Sequence, residues 1–464
     1  MSKLKKSDLK AHLLHSVQLL KRSLDYSDYT YFILAMLFFQ YAKLSNQSTT
    51  FSRAPQVVSV PSMLARTSGQ RKQKTRQDEI ADSFSALEDV HPPLTDVLLP
   101  ALPENPLDDS LLSEYGQLLE RFQQTTGVFS NSDSFSHAYE YWIDQLAMMT
   151  VRRDVAFYTR RSLVRLMVEI VKPKVGMSIY DPTVGTGGML IESARYVRQH
   201  GGNPESLRFT GREKSPDIWA ICKMNLLVHG IQDATIERGD TLQNSPNATG
   251  VFDLVLQNFP LSANTRSGQL ADSKFLRHAL QSLSYAGKAA ILAPSTILQH
   301  DHQELWHDVL SRDWLEAVIS LPPRLLHGTP AGACLLIFNK QKSLERLSHV
   351  LFIKAAPQFV PSSRHDHLQD SDIQTAVQAV DRWSGDLENI RVIPVQQIEA
   401  QNYTLNVDRY LERVETPQAL DVGAALSRYQ TAVKKREAAV EKLMKTLESL
   451  NYPPAASKDG KSGG

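Results

Sequence analysis

The chain has 464 residues, 42 % hydrophobic and 22 % charged, a globular balance that excludes wholesale disorder. Lys plus Arg number 51 and Asp plus Glu 50, so a net charge of +1 leaves any nucleic-acid contact to local patches. The two cysteines, Cys222 and Cys334, exclude a disulfide framework and a Cys-rich zinc site, and fit a reducing compartment.

The basic start MSKLKKSDLK lacks the apolar core of a secretory signal. Leu9, Leu13, Leu14, Val17 and Leu20 recur at helical spacing, and a second apolar helix is expected from Asp28 to Leu44. Its most apolar part, Tyr31 to Leu44, holds Gln40 and Lys43 and is too short to span a bilayer, so a cytoplasmic protein with no membrane contact is expected. Between Gln47 and Gln77 there is no acidic residue but there are six basic ones, Arg53, Arg66, Arg71, Lys72, Lys74 and Arg76. From Asp78 to Glu114 the pattern reverses, with ten carboxylates and no Lys or Arg. This charge order reads either as a solvated linker beside an acidic helical surface or as a basic loop that touches phosphate.

From about Tyr158 to Lys342, short apolar runs alternate with helical stretches. The runs are Met177–Tyr180, Leu207–Gly211, Asp253–Gln257, Ala289–Leu292, Leu315–Leu321 and Cys334–Phe338. That texture predicts an α/β fold with a mostly parallel, Rossmann-like sheet covered on both faces. A long C-terminal helix is expected from Val422 to Leu450, where Leu426, Val433, Val440 and Leu447 are spaced by sevens. It is either an intramolecular packing helix or a coiled-coil contact with a partner. The tail SKDGKSGG is expected to be disordered.

Within the α/β region, Ile179-Tyr180-Asp181 runs into Pro182-Thr183-Val184-Gly185-Thr186-Gly187-Gly188 and then a helix. Strand, glycine turn and helix let backbone approach a ligand at the carboxyl end of a sheet. No Lys-Ser/Thr follows the glycines, which argues against a phosphate-gripping loop. Asp181 would repel phosphate and attract a cationic ligand, and Glu213 ends the next apolar run, where a carboxylate can hold ribose hydroxyls. These two do not separate a dinucleotide site from an S-adenosylmethionine site.

The strand Phe252–Gln257 leads into Asn258-Phe259-Pro260-Leu261. With that motif the chain resembles the modification (M) subunit of type I restriction-modification systems, DNA adenine-N6 methyltransferases that use S-adenosylmethionine. The resemblance runs in order through FYT at Phe157–Thr159, DPTVGTGG at Asp181–Gly188, GRE at Gly211–Glu213, MNLLVHGI at Met224–Ile231 and GDTL at Gly239–Leu242. It continues through NFPL at Asn258–Leu261, EAVISLPPRLLHGT at Glu316–Thr329 and NYTLNVDRYL at Asn402–Leu411.

The resemblance implies that Phe157, Tyr158 and Thr159 cradle the methionine end of S-adenosylmethionine. Asp181, Gly185, Thr186 and Gly187 would floor its site, Glu213 would bind the ribose, and Asp240 would lie near the adenine ring or the target amine. An exocyclic amine is a poor nucleophile because its lone pair is delocalised into the ring. Two acceptors at its hydrogens, the Asn258 side-chain oxygen and the Phe259 carbonyl, would draw the nitrogen towards tetrahedral geometry. Direct transfer from a sulfonium needs no metal and no covalent intermediate, and none is expected.

The family motif is N-P-P-aromatic. Here Phe259 replaces the first proline and Leu261 the aromatic residue, while Pro260 still stiffens the turn. The plate on which a flipped adenine stacks is thereby lost, an interaction worth roughly 1–3 kcal/mol. Arg160 stands where family members usually carry proline.

Residues 1–150 are therefore expected as a helical N-terminal domain, 151–415 as the methyltransferase domain, and 416–464 as a partner-contact helix with a tail. The partners implied are double-stranded DNA, a specificity (S) subunit, a second M subunit and a restriction (R) subunit. Competing readings are a weakened or inactive scaffold in a phage-defence complex, and methylation of RNA or of a protein amide.

Overall fold

The computed structural model describes residues 6–44, 75–149, 159–243, 249–260, 266–299, 302–322, 325, 332–355, 368–383, 389–411 and 422–449. Met1–Leu411 belong to one compact unit and Glu412–Gly464 to another.

The first unit opens with helices α1 (Lys6–Leu20), α2 (Tyr26–Leu44), α3 (Arg76–Val90), α4 (Asp109–Thr126) and α5 (Ser132–Met149). Helix α2 is buried on every side from Tyr29 to Ala42, which makes it the central rod of a bundle. Phe84, Tyr115, Phe122, Phe135 and Trp142 from the surrounding helices fill the same core. Helix α2 begins at Tyr26, two residues before the expected start. The expected apolar face of α1 holds at Leu9, Leu13 and Leu20, but Leu14 is exposed because helical rotation carries it past the bundle. Of the six basic residues between 47 and 77, Arg76 alone is described. It opens α3 behind the capping residue Thr75, and its guanidinium donates to the Asp109 carbonyl at 3.1 Å. The other five lie outside the described residues.

Nine strands make one sheet in the order β3-β2-β1-β4-β5-β7-β6-β8-β9. Strands β1 (Ser178–Asp181), β2 (Arg208–Glu213), β3 (Thr235–Arg238), β4 (Phe252–Asn258) and β5 (Leu283–Pro294) form a parallel half. Strands β6 (Leu315–Leu321), β7 (Ala333–Asn339), β8 (His349–Lys354) and β9 (Ile390–Pro394) form a mixed half. The six expected strands are present, and β3, β8 and β9 are additional.

Alternate residues of the central strands enter two cores. Ile179, Leu254 and Leu256 pack under α6 (Arg161–Val171), α7 (Gly188–Gln199) and α8 (Pro216–Val228). Tyr180, Val255 and Ile291 pack under α9 (Arg266–Ser282) and α10 (Gln303–Ser311). Helix α11 (Asp370–Arg382) joins the first layer; α12 (Val395–Ala400) and α13 (Val407–Leu411) join the second. Helix α8 is shared: Ile221, Met224 and Val228 enter the N-terminal bundle, whereas Cys222 and Leu226 face the sheet layer.

The second unit contains α14 (Val422–Ser449), on which Leu426, Tyr429, Val440 and Leu443 are exposed. Among the described residues no helix is long and apolar enough to cross a membrane.

Candidate active site

Parallel pairing aligns the carboxyl ends of β3, β2, β1 and β4 at one edge of the sheet, and the strand order switches sides there, with β2 and β3 on one side of β1 and β4 and β5 on the other. That switch point is where an open α/β sheet leaves a crevice. Here the crevice is a cavity of about 1500 Å³, reached by Asp181 from β1, Glu213 from β2, Asp240 after β3, and Asn258 with Pro260 from β4. Thr159, Gly185 and Thr186 also line it.

The glycine turn fits because of its backbone. Gly185 has φ 53° and Gly187 φ 84°, both left-handed. A Cβ at Gly187 would also sit 3.1 Å from Cys222 Sγ, so this residue turns the chain against α8 and does not line the cavity. Glu213 ties the turn to β2, accepting the Gly185 N–H at 3.2 Å with one oxygen and the Ser215 N–H at 2.8 Å with the other. Asn225 Nδ2 donates to the Thr186 carbonyl at 2.8 Å from α8.

Two carboxylates therefore sit in a poorly solvated pocket. Burial raises the Asp181 pKa to about 8; the Thr183 N–H, 3.0 Å from its Oδ1, opposes that rise and the Glu213 charge adds to it. Burial raises Glu213 as well. Asp240 behaves differently. Burial would raise it, but the Leu242 N–H and the Lys214 ammonium at 3.1 Å outweigh that and lower its pKa. Burial of these two carboxyl groups makes the Asp181–Glu213 end receptive to a positively charged ligand, which would favour their ionised forms.

Asn258 is held at two points. Its Nδ2 donates to Thr159 Oγ1 at 3.0 Å, and its carbonyl accepts the Thr183 hydroxyl at 2.8 Å. The Phe259 N–H donates to the Leu292 carbonyl at 2.9 Å, and the Phe259 ring is buried in the core beside Phe275, with centroids 5.9 Å apart. The Phe259 ring is thus turned into the core, and among the described residues Asn258 and Pro260, not Phe259, line the cavity. Phe157, Tyr158 and Leu261 lie outside the described residues.

Residues 130–419 match the family model for N-6 DNA Methylase. The chain belongs to that family. Among similar proteins, the type I restriction enzyme MjaVII methylase subunit of Methanocaldococcus jannaschii is 26 % identical, over 68 % of this chain and 60 % of that protein. The HindI methylase subunit of Haemophilus influenzae is 24 % identical, over 61 % and 69 %. The chain spans 60 % and 58 % of the lengths of the two M. jannaschii relatives MjaVII and MjaVIII. Its fold is that of the type I restriction-modification methyltransferase subunit of Streptococcus thermophilus, with a TM-score of 0.71 and 21 % identity over 87 % of this chain and 99 % of that one.

Several cavity residues carry no sequence signal. Glu140, on α5, lies 2.7 Å from Arg195, 3.0 Å from His229 and 3.2 Å from Arg161. Burial opposes its ionisation, yet the hydrogen bond from the His229 ring and the Arg195 and Arg161 guanidinium groups hold its pKa down at about 2. Glu140 thereby joins the helical bundle to α6, α7 and the end of α8. Phe275, from α9, adds an aromatic wall near Asn258 and Pro260.

Proposed function

We propose that this N-6 DNA methylase transfers a methyl group from S-adenosylmethionine to adenine N6 in double-stranded DNA. It would act as the modification subunit of a type I restriction-modification system, beside a specificity subunit and a second M subunit, with a restriction subunit joining for cleavage. The cytoplasm suits such an activity. Residues 151–415 are proposed as the methyltransferase domain. The exposed apolar residues of α14 favour partner contact for 416–464.

The convergence of Asp181, Glu213 and Asn258 on one cavity carries this reading. A small-molecule pocket usually has roughly 300–1,000 Å³, so about 1500 Å³ leaves room for a base beside a cofactor. S-adenosylmethionine, when bound, supplies a methyl group made electrophilic by its sulfonium. The residues present fit it: the glycine turn allows close backbone approach, Glu213 suits hydroxyls, and the buried Asp181 suits a cation. Thr159, Thr186 and Asp240 complete the proposed binding set, and Gly187 shapes the turn. Phe157 and Tyr158 are proposed beside the methionine end.

At the other end, Asn258 Oδ1 and the Phe259 carbonyl accept hydrogen bonds from the target amine. Both stabilise positive charge on nitrogen as the methyl arrives. Pro260 is proposed to stiffen the turn, and Leu261, apolar but not aromatic, is proposed as the motif's fourth position.

The test is transfer of labelled methyl to DNA by the chain co-purified with its specificity subunit, beside Asn258→Ala. Removing one such acceptor should cost about 10²–10³ in rate. Cofactor binding without transfer in a folded complex would leave the scaffold reading.

A further inference from the structure

Asn258 meets two threonine hydroxyls from separate segments. Thr159 lies just before α6, and Thr183 lies just after β1, where its own N–H is fixed on Asp181. A neutral amide has one donating and one accepting end, and the wrong end towards an amine places donor against donor. With Nδ2 given to Thr159 at 3.0 Å, Oδ1 is the end available to the cavity. Thr183 acts on the main chain: its hydroxyl reaches the Asn258 carbonyl at 2.8 Å, and the N–H of that same peptide, which is that of Phe259, is anchored on Leu292.

We infer that Thr159 and Thr183 are positioning residues that clamp Asn258, Thr159 setting the direction of its amide and Thr183 the path of its backbone, so that both acceptors face the target amine. The inference rests on the reading of Asn258 as an amine acceptor. It adds to Thr159 a role distinct from holding the cofactor. Neither threonine touches the reacting atoms. Their effect is orientation, where a misplacement of about 1 Å can cost up to about 10²-fold in rate.

The experiment uses the chain with its specificity subunit and compares Thr159→Val, Thr183→Val and the two serine variants. Valine keeps the shape and removes the hydroxyl, whereas serine keeps the hydroxyl. Single-turnover transfer at saturating S-adenosylmethionine is expected to fall about tenfold or more in each valine variant. Cofactor affinity is measured separately by calorimetry, so that a loss of binding in Thr159→Val is told apart from a loss of rate at saturation, and the serine variants should recover most of the rate. Wild-type rates in both valine variants, or a loss cured by more cofactor, would overturn the clamp.

If the parent complex binds cofactor but transfers no methyl, the amine-acceptor reading itself has failed. The clamp is then judged by thermal unfolding of Thr159→Val, Asn258→Ala and the double variant. Non-additive shifts in Tm support a direct Thr159–Asn258 link, and additive shifts overturn it.

Discussion

The parallel and mixed halves of the sheet are covered on both faces by the same two helical layers, yet they do different work. In the parallel half, β3, β2, β1 and β4 end at one edge and deliver Asp240, Glu213, Asp181 and Asn258 to one cavity. In the mixed half, β7 runs against both β5 and β6, and β9 against β8, while β6 and β8 are parallel, so the strand ends are divided between the two edges of the sheet. Strand direction therefore decides which half can gather loops into a site. The mixed half contributes buried surface: every residue of β7 is buried.

The largest expected effect tests that division from the mixed side. Leu336 on β7 is fully buried in the core beneath α9 and α10. Leu336→Ala should destabilise the fold by about 2–5 kcal/mol, through lost transfer energy and the cavity left behind. Denaturant unfolding measures that loss, while the cofactor affinity of the folded fraction should be unchanged. A variant with normal stability and impaired binding would show that the halves are not separable in this way.

The two halves were also unequally legible. The glycine turn, Asp181 and Asn258 are local patterns, readable because each is a strand end followed by a turn of restricted composition. The strand Thr235–Arg238 gave no such signal, since Ile236 is its one buried residue. His349–Lys354 holds a short apolar run that periodicity alone does not separate from a buried helical segment. Contacts between distant segments were not readable at all. Thr159 meets Asn258, and Glu140 meets Arg195 and His229, only after the bundle and the sheet have packed. Helix α2 was legible as apolar, but its place at the centre of a bundle depends on four other helices.

Glu140 sharpens the comparison because it ties the N-terminal bundle to the parallel half. Glu140→Gln keeps the shape and removes the charge facing Arg161, Arg195 and His229, at a cost of roughly 1.5–3 kcal/mol. The sign with pH follows from its lowered pKa. A carboxylate held at about 2, against an ordinary value of 4.5, contributes stability above 4.5 that is lost as pH falls towards 2. The gap in Tm between wild type and Glu140→Gln should therefore be wide at neutral pH and narrow through that acidic window. An unchanged gap would mean that packing, and not charge, joins the two parts.

The smallest expected effect has the opposite sign and lies in the cavity. Asp181 is buried with its pKa raised from 3.8 to about 8, chiefly by loss of solvent. Between those values it is protonated in the folded chain and ionised in the unfolded one. Its contribution to stability therefore falls as pH rises from about 4 to about 8 and levels off above. Asp181→Asn removes that liability and can still accept the Thr183 N–H through its amide oxygen. It should raise the Tm of the cofactor-free chain by a few degrees at most, with a larger gain at pH 8 than at pH 5, while weakening the binding of S-adenosylmethionine. The core loses stability on substitution, whereas the site gains stability and loses ligand, because burial disfavours the ionised form of Asp181 that a positively charged ligand would restore. A gain equal at the two pH values would trace the effect to packing and overturn the raised Asp181 pKa, whereas unchanged binding of S-adenosylmethionine would remove Asp181 as the charge that receives the cofactor.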